Sequence, residues 1–304
     1  MTPQMDKRAW MGLLILSVLW GGSFFFVGVA VREVPPLTVA AIRVFVAAIV
    51  LLAVLKLTGL ALPRRREVWL AFLIMGLLNN AIPFSLTFWG QTHIPSGLAS
   101  ILNATTPIST VLVAHAFSDD EKLTPGRLLG VLTGFAGVAM MIGPDLLSGL
   151  GRNVLAQGAC LLATLSYAFG AVYSRRFRRL GVVPMQVAGG QFIGSSLILV
   201  PLALLVEQSW QIPLPSWQAM AAILALAIVS TALGFVIYFR VMAVAGSNVN
   251  LVTLLVPVSA ILLGVLVLRE SLLPRHFAGM AVIALGLGAI DGRVFTLLRK
   301  PGAD

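Results

Sequence analysis

Glu121-Lys-Leu-Thr-Pro125-Gly-Arg-Leu-Leu-Gly130, followed by Gly137 and Gly143, recurs 149 residues later as Glu270-Ser-Leu-Leu-Pro274-Arg-His-Phe-Ala-Gly279, followed by Gly286 and Gly292. Glu, Leu (Leu123 and Leu272), Pro and three glycines agree at that single offset. Upstream, Gly97 pairs with Gly246 and Leu102 with Leu251. Chance rarely aligns Glu, Pro and spaced Gly at one lag in a chain of 304 residues, so the sequence reads as an internal duplication, 1–150 and 151–304.

Composition decides what was duplicated. Hydrophobic residues make up 59% and charged residues 11%, with a mean hydropathy of +0.98. Soluble domains average about 25% charged residues. The charges gather in short clusters between long apolar runs, which describes an all-α integral membrane protein. A membrane β-barrel would instead show weak alternating segments of about 10 residues. Apolar runs of spanning length lie near 9–30, 36–58, 68–91, 96–117 and 125–143, and again near 154–175, 184–206, 217–240, 247–268 and 274–292. Prolines punctuate them at Pro35-Pro36, Pro63, Pro95, Pro125, Pro184, Pro213, Pro215 and Pro274. The fold expected is ten transmembrane helices, five per copy.

Five is odd, so the second copy enters the bilayer from the opposite side. Two inverted five-helix repeats related by a pseudo-two-fold axis in the membrane plane are typical of secondary transporters, which place the substrate site between the repeats near mid-depth. The net charge of +10 follows this topology. With the N-terminus inside, 16 Lys and Arg fall on inside connections and 4 on outside ones, leaving Arg43 within a span. The positive-inside rule then puts both termini in the cytoplasm. The basic charge sets topology, and no nucleic-acid partner is implied.

At this point the chain resembles a family. Leu16-Ser-Val-Leu-Trp20-Gly-Gly-Ser-Phe24, the paired Glu-x3-Pro-x4-Gly units and ten spans in two halves are similar to EamA-type members of the drug/metabolite transporter superfamily. Within it the resemblance is to YddG-type exporters of neutral and aromatic amino acids, which also handle some quaternary-cation compounds. It implies a bacterial inner (plasma) membrane location and export. The small multidrug exporters of the superfamily use a Glu in the first helix, where this chain has Gly21-Gly22-Ser23. That departure argues against proton antiport through such a residue.

Polar and aromatic groups inside the spans are the candidate substrate contacts, because in lipid they face the bundle interior or a water-filled cavity. Trp20 and Ser23 flank two glycines that permit close helix approach or local unwinding; Trp20 either stacks on a ligand or fills space. Asn79 and Asn80 precede Pro83, which frees a carbonyl near Asn79. The pair either faces a cavity or bonds to a neighbouring helix, a contact worth about 0.6 kcal/mol on average. Trp89 falls 149 residues before Tyr238, and Tyr167 aligns with Trp20 at a slightly different lag. These rings line a cavity or form an interfacial belt. Arg43, whose counterpart lies near Gln191, either receives a substrate carboxylate or braces the bundle. The resemblance favours bracing, because the family often carries Arg there. Asn103, Thr105, Thr106 and Pro107 recur in kind as Asn248, Asn250, Thr253 and Pro257, so Pro107 and Pro257, with Pro83, are candidate hinges. Hydroxyls there can instead bond back to the preceding turn.

No Asp or Glu lies mid-span, so a carboxylate proton relay has no carrier. His93 and His115 sit near helix ends, where structural roles are expected. Asp119 and Asp120 fall in a tight turn and are expected to be solvated. Cys160 stands alone, which excludes an intramolecular disulfide and a thiolate metal site. No Lys follows Gly, so there is no Walker A motif, and the histidines lack metal-ligand spacing. No enzymatic activity and no cofactor are expected. The partners implied are a small-molecule substrate and the lipid bilayer, with a monomer enclosing its own cavity. The expected function is export of small organic metabolites, neutral or aromatic amino acids first, by alternating access. The alternatives are a carrier for cationic drugs and xenobiotics, or a non-transporting scaffold or receptor packed through Gly130-x3-Gly134 and Gly190-x3-Gly194.

Overall fold

A computed structural model describes residues 7–117, 124–142, 152–245, 249 and 252–291. Glu121, Leu123, Asp119, Asp120, Gly143, Gly246, Asn248, Asn250, Leu251 and Gly292 lie outside the described residues. The described chain is all-helical and forms ten rods: α1 (Lys7–Ala30), α2 (Pro36–Leu57), α3 (Arg66–Gln91), α4 (Ser96–Phe117), α5 (Pro125–Ile142), α6 (Arg152–Arg179), α7 (Pro184–Glu207), α8 (217–245), α9 (Val252–Leu266) and α10 (Pro274–Asp291). Seven are long and apolar enough on their own to cross a membrane, and α5 and α9 carry shorter apolar cores at Leu128–Met140 and Leu255–Leu266. The bundle's outer surface is itself apolar, with Leu14, Val18, Phe45, Ile49, Leu197 and Leu262 all exposed. Water does not tolerate so much contiguous apolar surface, and lipid does.

The duplication packs as an inverted pair. A Cβ on Gly137 of α5 would sit 2.8 Å from the Gly279 carbonyl oxygen of α10. One on Gly286 of α10 would sit 2.6 Å from the Gly130 carbonyl oxygen of α5. Gly130 and Gly279, like Gly137 and Gly286, are repeat partners, so exchanging the halves maps this contact onto itself. A pseudo-two-fold axis therefore runs between α5 and α10. The other principal pairings, α2 with α7, α1 with α9 and α3 with α6, also cross between halves. The two copies interleave.

Glycine makes the other crossings close as well. Gly76 of α3 lies against the Gln191 carbonyl of α7, and Gly194 of α7 against the Phe72 carbonyl. Gly190, one turn earlier, faces the Phe72 ring. These contacts use the small-xxx-small spacing within the chain. α1 stays helical through Trp20-Gly21-Gly22-Ser23, so of the two uses open to those glycines, unwinding is not the one adopted. A Cβ on Gly21 would lie 2.8 Å from the Val256 carbonyl oxygen of α9, and Ser17 bonds Ser259 at 2.8 Å beside it.

Three rods are interrupted. α3 contains a π-turn at Leu77–Ala81, directly before Pro83. The backbone N–H of Ile82 bonds to the carbonyl of Leu77, so the next N–H in that register would seek Leu78, and Pro83 has none. The orphaned Leu78 carbonyl instead accepts a 2.7 Å hydrogen bond from the Ser166 hydroxyl of α6. α8 carries a longer π-segment, Leu226–Leu233, beginning 149 residues after the first and with no proline. There the Thr231 hydroxyl bonds the Leu226 carbonyl at 2.7 Å. α4 breaks at Ala104 and Thr105 just before Pro107, with the Thr105 and Thr106 hydroxyls bonded back to Leu102 and Asn103 at 2.7 and 2.6 Å. α9 remains helical on both sides of Pro257, so the break seen before Pro107 has no counterpart there.

Gly137→Val is expected to lower the melting temperature in detergent sharply, because its side chain meets rigid backbone. Gly158→Ala, with no atom within 4 Å of its Cβ, is expected to leave it unchanged or slightly raised. Equal melting of the two variants would contradict the close α5–α10 crossing.

Candidate functional site

A cavity of about 770 Å³ lies where the halves meet, lined by α1, α2, α3 and α4 of the first and α6, α7, α8 and α9 of the second. Its volume is in the range of small-molecule sites, roughly 300–1,000 Å³. Its walls combine nine aromatic rings with a larger number of hydroxyl, amide and guanidinium side chains.

Local helical structure explains which residues face inward. On α3 the cavity face is Asn80, Phe84, Thr87, Phe88 and Gln91, spaced by three or four residues, which is one side of a helix. On α8 it is Phe235, Tyr238, Phe239 and Met242. These match Phe84, Thr87, Phe88 and Gln91 at a lag of 151, whereas the two π-segments begin at a lag of 149. The longer π-segment of α8 absorbs the two-residue difference. Tyr238 is therefore the structural counterpart of Thr87, and the expected pairing with Trp89 is corrected. Trp89 is not brought to the cavity: it is 39% exposed on the outer surface, its ring 4.9 Å from His93.

The remaining sequence candidates converge. Trp20, Ser23, Arg43, Asn79, Asn80, Tyr167, Gln191 and Tyr238 all line the one cavity. Trp20 stacks on Tyr238 with ring centroids 5.4 Å apart, and Gly234 leaves room for its indole. Tyr167 enters from α6, 147 residues after Trp20. The Asn79 amide donates to Gln191 Oε1 at 3.3 Å, and Asn80 donates to Ser195 Oγ at 3.2 Å. Both asparagines thus bond to α7 and border the cavity at once. Asn80 Oδ1 is buried with no hydrogen-bond partner among the described residues. Pro83, Pro107 and Pro257 do not line the cavity themselves, but each adjoins a residue that does: Phe84, Thr106 and Val256.

Arg43 is buried, at 8% exposure. Its Nε donates to the Thr231 hydroxyl at 2.9 Å, and its Cζ lies 3.9 Å from the centre of the Phe84 ring and 5.6 Å from that of Phe88. The π-segment of α8 delivers Thr231 to it. Phe84, Phe88, Phe235 and Gln91 were not among the sequence candidates. Gln91 is buried, and both its side-chain polar atoms lack partners among the described residues. The i, i+3, i+4, i+7 spacing of 84, 87, 88 and 91 was the signal that could have identified them.

At the end of the bundle opposite the arginine-rich connections, carboxylates cross between the halves. α2 and α4 begin after Pro35 and Pro95, which have no side-chain acceptor with which to cap a helix. Glu207, at the end of α7, instead accepts from the Leu37 and Thr38 backbone N–H groups at 2.9 and 2.7 Å. Glu270 accepts from the Ser96 and Gly97 N–H groups at 2.9 and 3.2 Å and from the Ser96 hydroxyl at 2.9 Å. Glu33, after α1, accepts from the Ser216 N–H at 2.7 Å and its hydroxyl at 2.6 Å, at the start of α8. These bonds from the Ser216 side chain and backbone lower the Glu33 pKa below the ordinary carboxylate value, with burial opposing slightly. All three anions sit at the positive ends of helices. Towards the opposite, basic face the cavity reaches Ser174 and Arg178 of α6, Val182 and Pro184. There Arg65 donates to the Leu180 carbonyl at 2.7 Å and Arg176 pairs with Glu67 at 3.0 Å.

The EamA-like transporter family matches the chain twice, over residues 8–143 and 155–290. The chain belongs to that family. This EamA-like chain is 26% identical over 285 residues to the uncharacterized transporter YoaV of Bacillus subtilis (strain 168), covering 92% of the chain and 95% of YoaV. It is 28% identical over 293 residues to the uncharacterized inner membrane transporter YedA of Escherichia coli (strain K12), covering 95% and 92%. Protein PecM of Dickeya dadantii (strain 3937) is 27% identical over 271 residues, covering 87% and 86%. A solved crystal structure that is 22% identical superposes with a TM-score of 0.67, covering 97% of this chain and all of that one, so the fold is shared.

The Glu33 clamp carries a pH dependence. A lowered pKa in the folded state means that Glu33 contributes stability above the ordinary carboxylate pKa, and that this is lost as the pH falls through its lowered value. Melting in detergent should therefore drop on acidification through that range, and Glu33→Gln should flatten the drop. An unchanged pH profile in the variant would show that the clamp holds nothing.

Proposed function

We propose that this EamA-like chain is a secondary transporter that exports small organic metabolites across a bacterial inner membrane by alternating access. Its first candidate substrates are neutral and aromatic amino acids and related amphipathic compounds. The observation carrying this reading is the cavity at the junction of the two inverted halves, which reaches exposed residues towards the basic face; closure at the opposite face is assigned to the Glu33, Glu207 and Glu270 clamps. The clamps are bonds between halves, so rocking one half against the other makes or breaks them. Breaking them lets the same cavity open at that face.

The basic face, with Arg64, Arg65, Arg66, Arg175, Arg176, Arg178 and Arg179, is assigned to the cytoplasm by the positive-inside rule, and both termini with it. The conformation described is then open inward. A relative named as an inner membrane transporter supports the location. Substrate recognition is assigned to the rings of Trp20, Tyr167 and Tyr238 for an apolar body, and to Ser23, Asn79, Asn80, Gln191 and Arg43 for polar groups. Pro83 is assigned as a hinge beside the π-turn; Pro107 serves likewise at the break in α4. One chain encloses the cavity, so a monomer suffices. Cationic xenobiotics, the other substrate class, find no acidic side chain among the described cavity residues.

Counterflow in proteoliposomes with a panel of labelled amino acids, with and without a pH gradient, tests the reading. Protein-dependent exchange that is insensitive to the gradient is expected. Absence of exchange for every solute would reject the transporter assignment and favour a membrane scaffold.

A further inference from the structure

The charges that face the cavity are all of one sign. Its walls, among the described residues, hold Arg43 and Arg178 and no Asp or Glu. Arg178 stands exposed at the mouth, whereas Arg43 is buried deep between α2, α3 and α8. A guanidinium has five N–H donors and keeps its charge in proteins. Only Nε of Arg43 is engaged, by Thr231; Nη1 and Nη2 have no hydrogen-bond acceptor among the described residues. The Phe84 ring against one face of the group and the Thr231 bond at its edge fix its plane and leave the fork uncommitted. A buried cation with an unfilled fork is costly, and a planar carboxylate is its best complement.

We infer that Arg43 is the counter-ion of a substrate carboxylate, and that the cavity selects aromatic monocarboxylates over zwitterions and amines because nothing acidic receives an ammonium group. The inference rests on the transporter reading but replaces its first candidates, the zwitterionic amino acids, with monoanionic aromatic carboxylates. Phe88, Trp20, Tyr167 and Tyr238 supply apolar walls for the ring the carboxylate carries. A carrier with no titratable relay in its spans then moves one negative charge per cycle. Where the interior is negative, the potential drives that charge outward. About 100 mV corresponds to roughly a 50-fold outward concentration ratio for a monoanion. Export would thus need neither a proton nor a coupling ion.

Three probes that differ in one group test this: 3-phenylpropanoate, phenylalanine and phenethylamine. Melting of the purified protein reads binding, and flux from proteoliposomes, measured over protein-free vesicles with a valinomycin-set potassium potential, reads transport. The expected order of stabilisation is 3-phenylpropanoate, phenylalanine, then phenethylamine with none. An inside-negative potential should speed 3-phenylpropanoate efflux several-fold and leave phenylalanine efflux unchanged. Arg43→Gln should weaken 3-phenylpropanoate binding by about tenfold to a hundredfold, and Arg43→Lys should keep the anion preference at lower affinity. Should Arg43→Gln fail to fold, the comparison of the three probes on the unsubstituted protein decides. Phenylalanine moving while 3-phenylpropanoate does not, or efflux of 3-phenylpropanoate indifferent to potential, would overturn the inference and leave the transporter reading standing. Preference for phenethylamine would do the same. If none of the three binds or moves while other solutes exchange, the inference alone fails; if nothing exchanges, both fail.

Discussion

The carboxylates that reach from one half of the chain to the helix starts of the other are the constraint on which this structure turns. In a bilayer a helix N-terminus with unsatisfied N–H groups has no water to turn to deeper in the membrane, and Pro35 and Pro95 give α2 and α4 no cap of their own. Glu207 and Glu270 satisfy those groups from the second half, while Glu33 of the first half holds Ser216, whose hydroxyl caps α8. Each bond is short and charge-assisted, yet all lie at one face. The same interactions that complete the helices thus tie the two halves together at the face where closure is proposed. The glycine contacts between α5 and α10 give the halves a fixed axis about which to differ.

The interior is shaped by where the helices depart from regular geometry. In α3 a proline removes one donor, a π-turn follows from the lost register, and Ser166 takes up the orphaned Leu78 carbonyl. In α8 a longer π-segment arises without proline, held in part by the Thr231 hydroxyl on Leu226. That segment places Thr231 on Arg43 and turns Phe235, Tyr238 and Phe239 towards the cavity. Two copies of one ancestral unit thereby give unlike walls: α3 presents Asn80, Phe84, Thr87, Phe88 and Gln91 where α8 presents Phe235, Tyr238, Phe239 and Met242. A site built this way is asymmetric although the scaffold is not.

Much of this was legible in the chain. The ten spans, their inversion, the close-packing role of the repeat glycines and the convergence of Trp20, Asn79, Asn80, Tyr167, Gln191 and Tyr238 follow from spacing, polarity and an odd helix count. Trp89 was misplaced because a lag of 149 was carried past a π-segment that shifts it to 151, and nothing in Leu226–Leu233 marks that shift as Pro83 marks the first. Phe84 and Phe88 escaped notice for another reason: in a span whose lipid face is as apolar as its core, apolar residues alone do not mark the cavity side, and only the helical spacing they share with Asn80, Thr87 and Gln91 points to it. Glu270 was read as orientation only, since its partners, Ser96 and Gly97, lie far away in sequence.

The central claim is that the Glu33, Glu207 and Glu270 clamps close the cavity to one face while the basic face gives access. Single cysteines at Ser174 and Gln91 in a Cys160→Ala background, labelled with a membrane-impermeant maleimide in right-side-out and inverted vesicles, test it most directly. Ser174→Cys should label only from the basic face. Gln91→Cys should resist labelling from the carboxylate face until Glu270→Gln is added, after which its rate should rise about tenfold, the equivalent of roughly 1.4 kcal/mol of lost closure. Rapid labelling of Gln91→Cys from the carboxylate face with all three glutamates intact would contradict the account.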